Sequence, residues 1–195
     1  MVRILEKMYW ALGLSVALAL GVHLYLHGGM LKDPAQMRAL MINVTIWLHV
    51  VSGICWIGLL WYFNLVQIPT MPKIPADLKP AVGKFIAPEA LFWFRWSALA
   101  TVLTGATVAY LKGYLVSALT FSGQHTIGIG MWLALIMAAN VWFIIWPMQK
   151  KALGIIKVDD AEKARAARIA MLASRTNFVL SLPMLYCMVS QNIVG

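Results

Sequence analysis

Acidic residues are scarce in this sequence: seven Asp and Glu stand against sixteen Lys and Arg in 195 residues. All charged types together reach 12%, about half the share usual in a soluble domain. So few carboxylates leave no paired-carboxylate site, and neither a nucleophile–base pair nor a phosphate-binding loop is present. Cysteine is scarcer still. Cys55 and Cys187 both fall within apolar runs, which excludes a CxxCH haem attachment, a zinc spacing and a disulfide framework. Internal repeats and low-complexity tracts are absent as well. What the chain does have is apolar bulk: 62% hydrophobic residues, nine Trp and twelve Met. This composition predicts an integral membrane protein, and the length predicts a single membrane domain over residues 1–195.

A helix that crosses the hydrocarbon layer needs about 20 mostly apolar residues. Five segments qualify, at about 8–27, 39–65, 91–111, 125–147 and 168–191. The first lacks the small-residue cleavage site of a signal peptide and continues to His27, so it reads as a retained helix. The connection 66–90 contains Pro69, Pro72, Pro75, Pro80 and Pro88, which predict an extended loop with room for one short interfacial turn.

Five spans put the N-terminus and the 66–90 and 148–167 loops on one side. That side holds eleven basic residues: Arg3, Lys7, Lys73, Lys79, Lys84, Lys150, Lys151, Lys157, Lys163, Arg165 and Arg168. The other side holds three, Lys32, Arg38 and Lys112. The positive-inside rule then places the N-terminus in the cytoplasm. The expected architecture is an all-α five-helix transmembrane bundle, multi-pass in a bacterial inner membrane and surrounded by lipid. The net charge of +9 is thereby absorbed by topology. Nucleic acid is not an expected partner, because the basic residues form no aromatic-interleaved reading surface.

In this topology all four histidines occupy the outer half. His23 and His27 are four apart on one face of the first helix. His49 lies a turn outside the midplane, and His125 opens the fourth helix. Ionisable groups inside spans are rare and default to a functional reading. Neutral imidazoles from different helices can ligate a haem b from both sides without a covalent motif. His49, Gly53 and Trp56 stand at i, i+4 and i+7, where Gly53 would leave space for a flat ligand and Trp56 would wall it. His49 is the first candidate axial ligand, with His125, His23 and His27 as the others, enough for one or two haems. His23 and His27 leave the same face in the same direction and cannot grip one haem between them. Copper, on imidazoles and a Met thioether, is the competing chemistry. The bland readings are close helix packing at Gly53 and headgroup-level histidines elsewhere.

Arg95 and Arg175 lie toward the cytoplasmic ends of their spans. They are expected to snorkel, to pair with Glu89, or to hold an anionic group. Asn140 and Asn177 are expected to hydrogen-bond between helices, a contribution of about 1 kcal/mol.

Several of these segments fall into a recognisable set. They are Trp47–Gly58 (WLHVVSGICWIG), Val66–Pro69, Ala90–Trp96, Ile136–Pro147, Ser174–Asn177 and Leu180–Leu185. Over about residues 40–192 the chain resembles the membrane domain of the urate hydroxylase (urate oxidase N-terminal) family. The helix around His49 is also similar to that of copper-resistance D-type proteins and of the membrane protoporphyrinogen oxidase, which is associated with haem. The resemblance implies purine oxidation with electrons passed to a C-terminal cytochrome c. No such domain occurs within these 195 residues, and Ser190–Asn192 stand where the fused enzymes carry a histidine.

The sequence therefore predicts a b-type haem protein that transfers electrons near the periplasmic face, with a cytochrome c or a quinone as redox partner. It would act as a homo-oligomer or as a subunit of a membrane complex. Two alternatives stand beside it: a membrane subunit of an oxidoreductase for urate or another small molecule, and a cofactor-free accessory subunit of a respiratory or oxygenase complex.

Overall fold

A computed structural model of the chain describes residues 5–194. Arg3 lies outside the described residues, as does the side chain of Asn192. The described residues are almost wholly helical and contain no strand. The backbone divides into two compact units, Met1–Val44 and Thr45–Gly195.

In the first unit, α1 (Met8–His27) closes on a 3-10 turn at Gly28–Lys32. None of its residues is buried, and apolar side chains such as Trp10, Leu18 and Tyr25 are exposed along its whole length. A helix that is apolar all round suits a lipid environment, where no polar face is needed.

Four further long helices follow, with a short one between the second and third of them. Helix α2 begins as Pro34–Trp61, widens into a π-helical stretch at Tyr62–Gln67, and continues through Ile68–Thr70 and Met71–Lys73. Helix α3 (Ala87–Leu111) is entered through Lys79–Ala81 and a π-helical Val82–Ile86. A short helix, Leu115–Leu119, leads to α4, which runs as His125–Asn140, a π-helical Val141–Ile145, and Trp146–Ala152. Helix α5 is Asp160–Val194. Its first turn is capped by Asp159, whose Oδ1 accepts the Glu162 amide at 2.7 Å. Lys151 at the end of α4 donates to Glu162 at 2.7 Å and holds that carboxyl below its ordinary pKa range.

Three helical stretches are long and apolar enough to cross a membrane: Met8–Lys32, Gln36–Lys73 and His125–Ala152. Helices α3 and α5 have the length, with 25 and 35 residues, but carry Arg95 and Arg175 among their apolar residues.

The extended loop expected over 66–90 is mostly helix, with only residues 74–78 outside helical geometry. The reason lies in how each proline is accommodated. Proline offers no N–H, and its ring presses on the carbonyl four residues back. Pro69, Pro88 and Pro147 each stand two residues after the end of a π-helical stretch, where the wider turn relieves that clash. Pro72 and Pro80 occupy the second position of short helical segments, where an amide would lack an intrahelical acceptor in any case.

The core of the second unit packs Trp56, Leu60 and Phe63 of α2 against Leu91, Phe94 and Ala98 of α3, Met137, Val141 and Ile145 of α4, and Met184 of α5. Helices α4 and α5 are in close contact at Gly130, where a Cβ would lie 2.9 Å from the Cys187 Cβ. Gly130→Leu should therefore cost about 1–3 kcal/mol through overpacking. Unfolding of the purified protein in mild detergent measures this, and an unchanged midpoint would show that the two helices are not held at this distance.

Candidate functional site

His49 is half-buried on α2 and turned toward α3. Its Nδ1 lies 2.9 Å from the Thr101 carbonyl oxygen and 3.3 Å from Thr104 Oγ1. A carbonyl only accepts, so Nδ1 carries the hydrogen and donates. The Thr104 hydroxyl is itself committed to the Ala100 carbonyl at 2.6 Å. This arrangement fixes the tautomer and leaves Nε2 with its lone pair, with no hydrogen-bond partner among the described residues. Metal-ligating histidines are commonly oriented in this way, through a backbone carbonyl on the second ring nitrogen. The ring lies over Gly105, where a Cβ would come within 2.8 Å of His49 Cε1. Only glycine leaves that space.

The rest of the expected His49 face is occupied by protein. A Cβ on Gly53 would be 3.9 Å from the Thr101 methyl, an ordinary contact. Trp56 has no exposed surface and packs among the core residues, its Nε1 without a hydrogen-bond partner. The imidazole thus keeps one ring nitrogen, Nε2, able to accept a hydrogen bond or to ligate, whereas Gly53 and Trp56 pack against protein.

His125 opens α4 as expected, and its ring lies parallel to that of Phe121, with centroids 6.5 Å apart. Phe121 has φ 56°, a left-handed backbone conformation uncommon for a bulky residue. In the first unit, the His23 and His27 rings neighbour each other at 5.2 Å. Among the described residues, no group of three or more His, Cys, Asp or Glu gathers. Arg95 does not pair with Glu89. Its guanidinium lies over the Trp146 ring, 3.4 Å from the centroid.

A second polar region, largely hidden from sequence reasoning, runs along the buried face of α5 through Ser174, Asn177 and Ser181. Asn140 Nδ2 donates to Asn177 Oδ1 at 2.7 Å and to the Ala173 carbonyl at 2.9 Å. Asn177 Nδ2 donates to the Met137 carbonyl at 2.9 Å. Helix α2 joins this seam twice, through Asn64 to Ser174 Oγ at 2.9 Å and Trp61 Nε1 to Ser181 Oγ at 3.0 Å. Beside Ser174, α2–α5 border a partly open cavity of about 130 Å³, whose polar lining comes from Gln67, Gln149 and Ser174. Polar amides set within apolar helices were the available signal for this region; their convergence depends on helix order, which sequence does not supply.

The seam residues Asn140, Ser174, Asn177 and Ser181 belong to the segments that carry the family resemblance. Residues 112–193 match the urate oxidase N-terminal family. The matched stretch takes in Leu115–Leu119, α4 and nearly all of α5, and the earlier segments, including the one around His49, lie outside it. No curated protein and no solved structure matches the chain.

The packing of His49 on Gly105 gives a direct prediction. Gly105→Ala should cost about 1–3 kcal/mol in the native chain and far less in a His49→Ala background, where the colliding ring is gone. Paired unfolding measurements on the four proteins check this; an equal cost in both backgrounds would mean that the imidazole does not occupy this position.

Proposed function

We propose that this chain is the membrane-embedded component of an oxidoreductase, with five spans in a bacterial inner membrane and its N-terminus in the cytoplasm. His49 holds a b-type haem through Nε2 and so carries electrons near the outer face. The observation that supports this most is the orientation of the imidazole. Its Nδ1–H is committed to the Thr101 carbonyl, and Nε2 is left for a ligand. The match of residues 112–193 to a family named for an oxidase points to the same class of chemistry. Bound haem would supply one-electron carriage, with its potential tuned by axial ligation, hydrogen bonding and burial. The chain's own part is to fix the ring with Thr101, make room for it with Gly105, and surround it with apolar helices. His125, which lies in the same unit, or a residue of a partner subunit completes the ligation, and a cytochrome c or a quinone exchanges the electrons.

The family match favours a second reading beside this one: a urate or other small-molecule oxidoreductase subunit that works with a separate cytochrome. Purine-dependent cytochrome reduction by membranes containing the chain distinguishes it.

The first reading predicts a Soret band and a sharp reduced α band in the detergent-purified protein, both lost in His49→Ala while the protein remains helical. Protein expressed with ample haem and showing no Soret absorbance would contradict it and shift the weight to a cofactor-free accessory subunit.

A further inference from the structure

We propose that the cavity beside Gln67 is a binding site for one neutral six-membered ring bearing hydroxyl groups, of the phenol or hydroquinone class. Size sets the first limit. The cavity measures about 130 Å³, and an apolar cavity of about 150 Å³ holds one benzene ring. A single ring therefore fits within the cavity.

Charge sets the second limit. No acidic or basic side chain lines the cavity. An anion would enter without a counter-charge, at a prohibitive desolvation cost, so the ligand is neutral. Phe63 and Phe94, edge-to-face at 5.6 Å, supply the aromatic part of the wall together with Leu91 and Ile145.

Hydrogen bonding sets the third. Gln67 Oε1 is buried and has no hydrogen-bond partner among the described residues. Only a donor satisfies it. Ser174 Oγ accepts from Asn64 Nδ2, which leaves its own hydrogen to donate. A ring hydroxyl both donates and accepts, and so answers Gln67 and Ser174 together.

The site is also built by the fold's most unusual feature. Phe63 and Gln67 belong to the π-helical Tyr62–Gln67, Ile145 to Val141–Ile145, and Ala87 directly follows Val82–Ile86. Two widened turns therefore line the cavity and a third ends next to a lining residue, and such turns concentrate at functional sites. Gln67 lies eighteen residues beyond His49 on α2, or about 27 Å along the helix. The two sites are separate, and this inference does not rest on haem binding.

Equilibrium dialysis of the full chain in lipid nanodiscs against hydroquinone and benzene, with empty nanodiscs as the partition control, tests the proposal. Hydroquinone should saturate at one site per chain and bind about tenfold more tightly than benzene. Gln67→Leu should remove about that factor, and Ala167→Phe, at the exposed edge of the lining, should abolish saturable binding. The proposal is overturned if hydroquinone does not saturate above the nanodisc background, if it binds no better than benzene, or if folded Gln67→Leu protein retains the native affinity. Should Gln67→Leu fail to fold, retained binding in Ala167→Phe overturns it alone.

Discussion

The arrangement of the second unit depends on an amide pair with no water to turn to. Apolar side chains define helix register poorly among lipid tails, because sliding one helix along another changes little apolar contact. An asparagine in such surroundings has a far smaller choice. Asn177 is fully buried, takes a hydrogen bond from Asn140 and gives one to the Met137 carbonyl. A shift of one turn would leave several polar groups unpaired, so α4 and α5 have a single satisfactory register.

Other features follow from that register. With α5 fixed, Ser174 and Ser181 face Asn64 and Trp61, which positions α2. Helix α2 in turn carries His49 to Thr101 and Gly105 of α3. The prolines work alongside this seam: two of the π-helical turns that absorb a proline, Tyr62–Gln67 and Val141–Ile145, also supply lining residues of the Gln67 cavity. One set of residues thus both permits long helices through a proline-rich stretch and opens space between them.

Much of the helical plan was legible in the sequence, because apolar length is a strong local signal. His125 opening its helix was readable, and so was hydrogen bonding of Asn140 and Asn177 to other helices, because an amide in an apolar run has little other choice; that the two pair with each other was not. The 66–90 stretch misled, since counting prolines does not reveal that a wider turn before each one removes the clash. The partner of Arg95 was also out of reach. Glu89 is near in sequence but six residues away on the same helix, outside the i,i+3 and i,i+4 spacings at which side chains meet, and the Trp146 ring is brought in by a different helix. The surroundings of His49 were half visible: its depth and glycine neighbour could be read, but Thr101 and Gly105 are more than fifty residues away. The cavity was invisible because its polar lining comes from three different helices.

A double-mutant cycle on Asn140→Ala and Asn177→Ala, followed by unfolding in mild detergent, tests this dependence most directly. The account predicts a coupling of about 0.6–2 kcal/mol between the two substitutions. Costs that simply add, with no coupling, would contradict it and leave the register of α4 and α5 to packing alone.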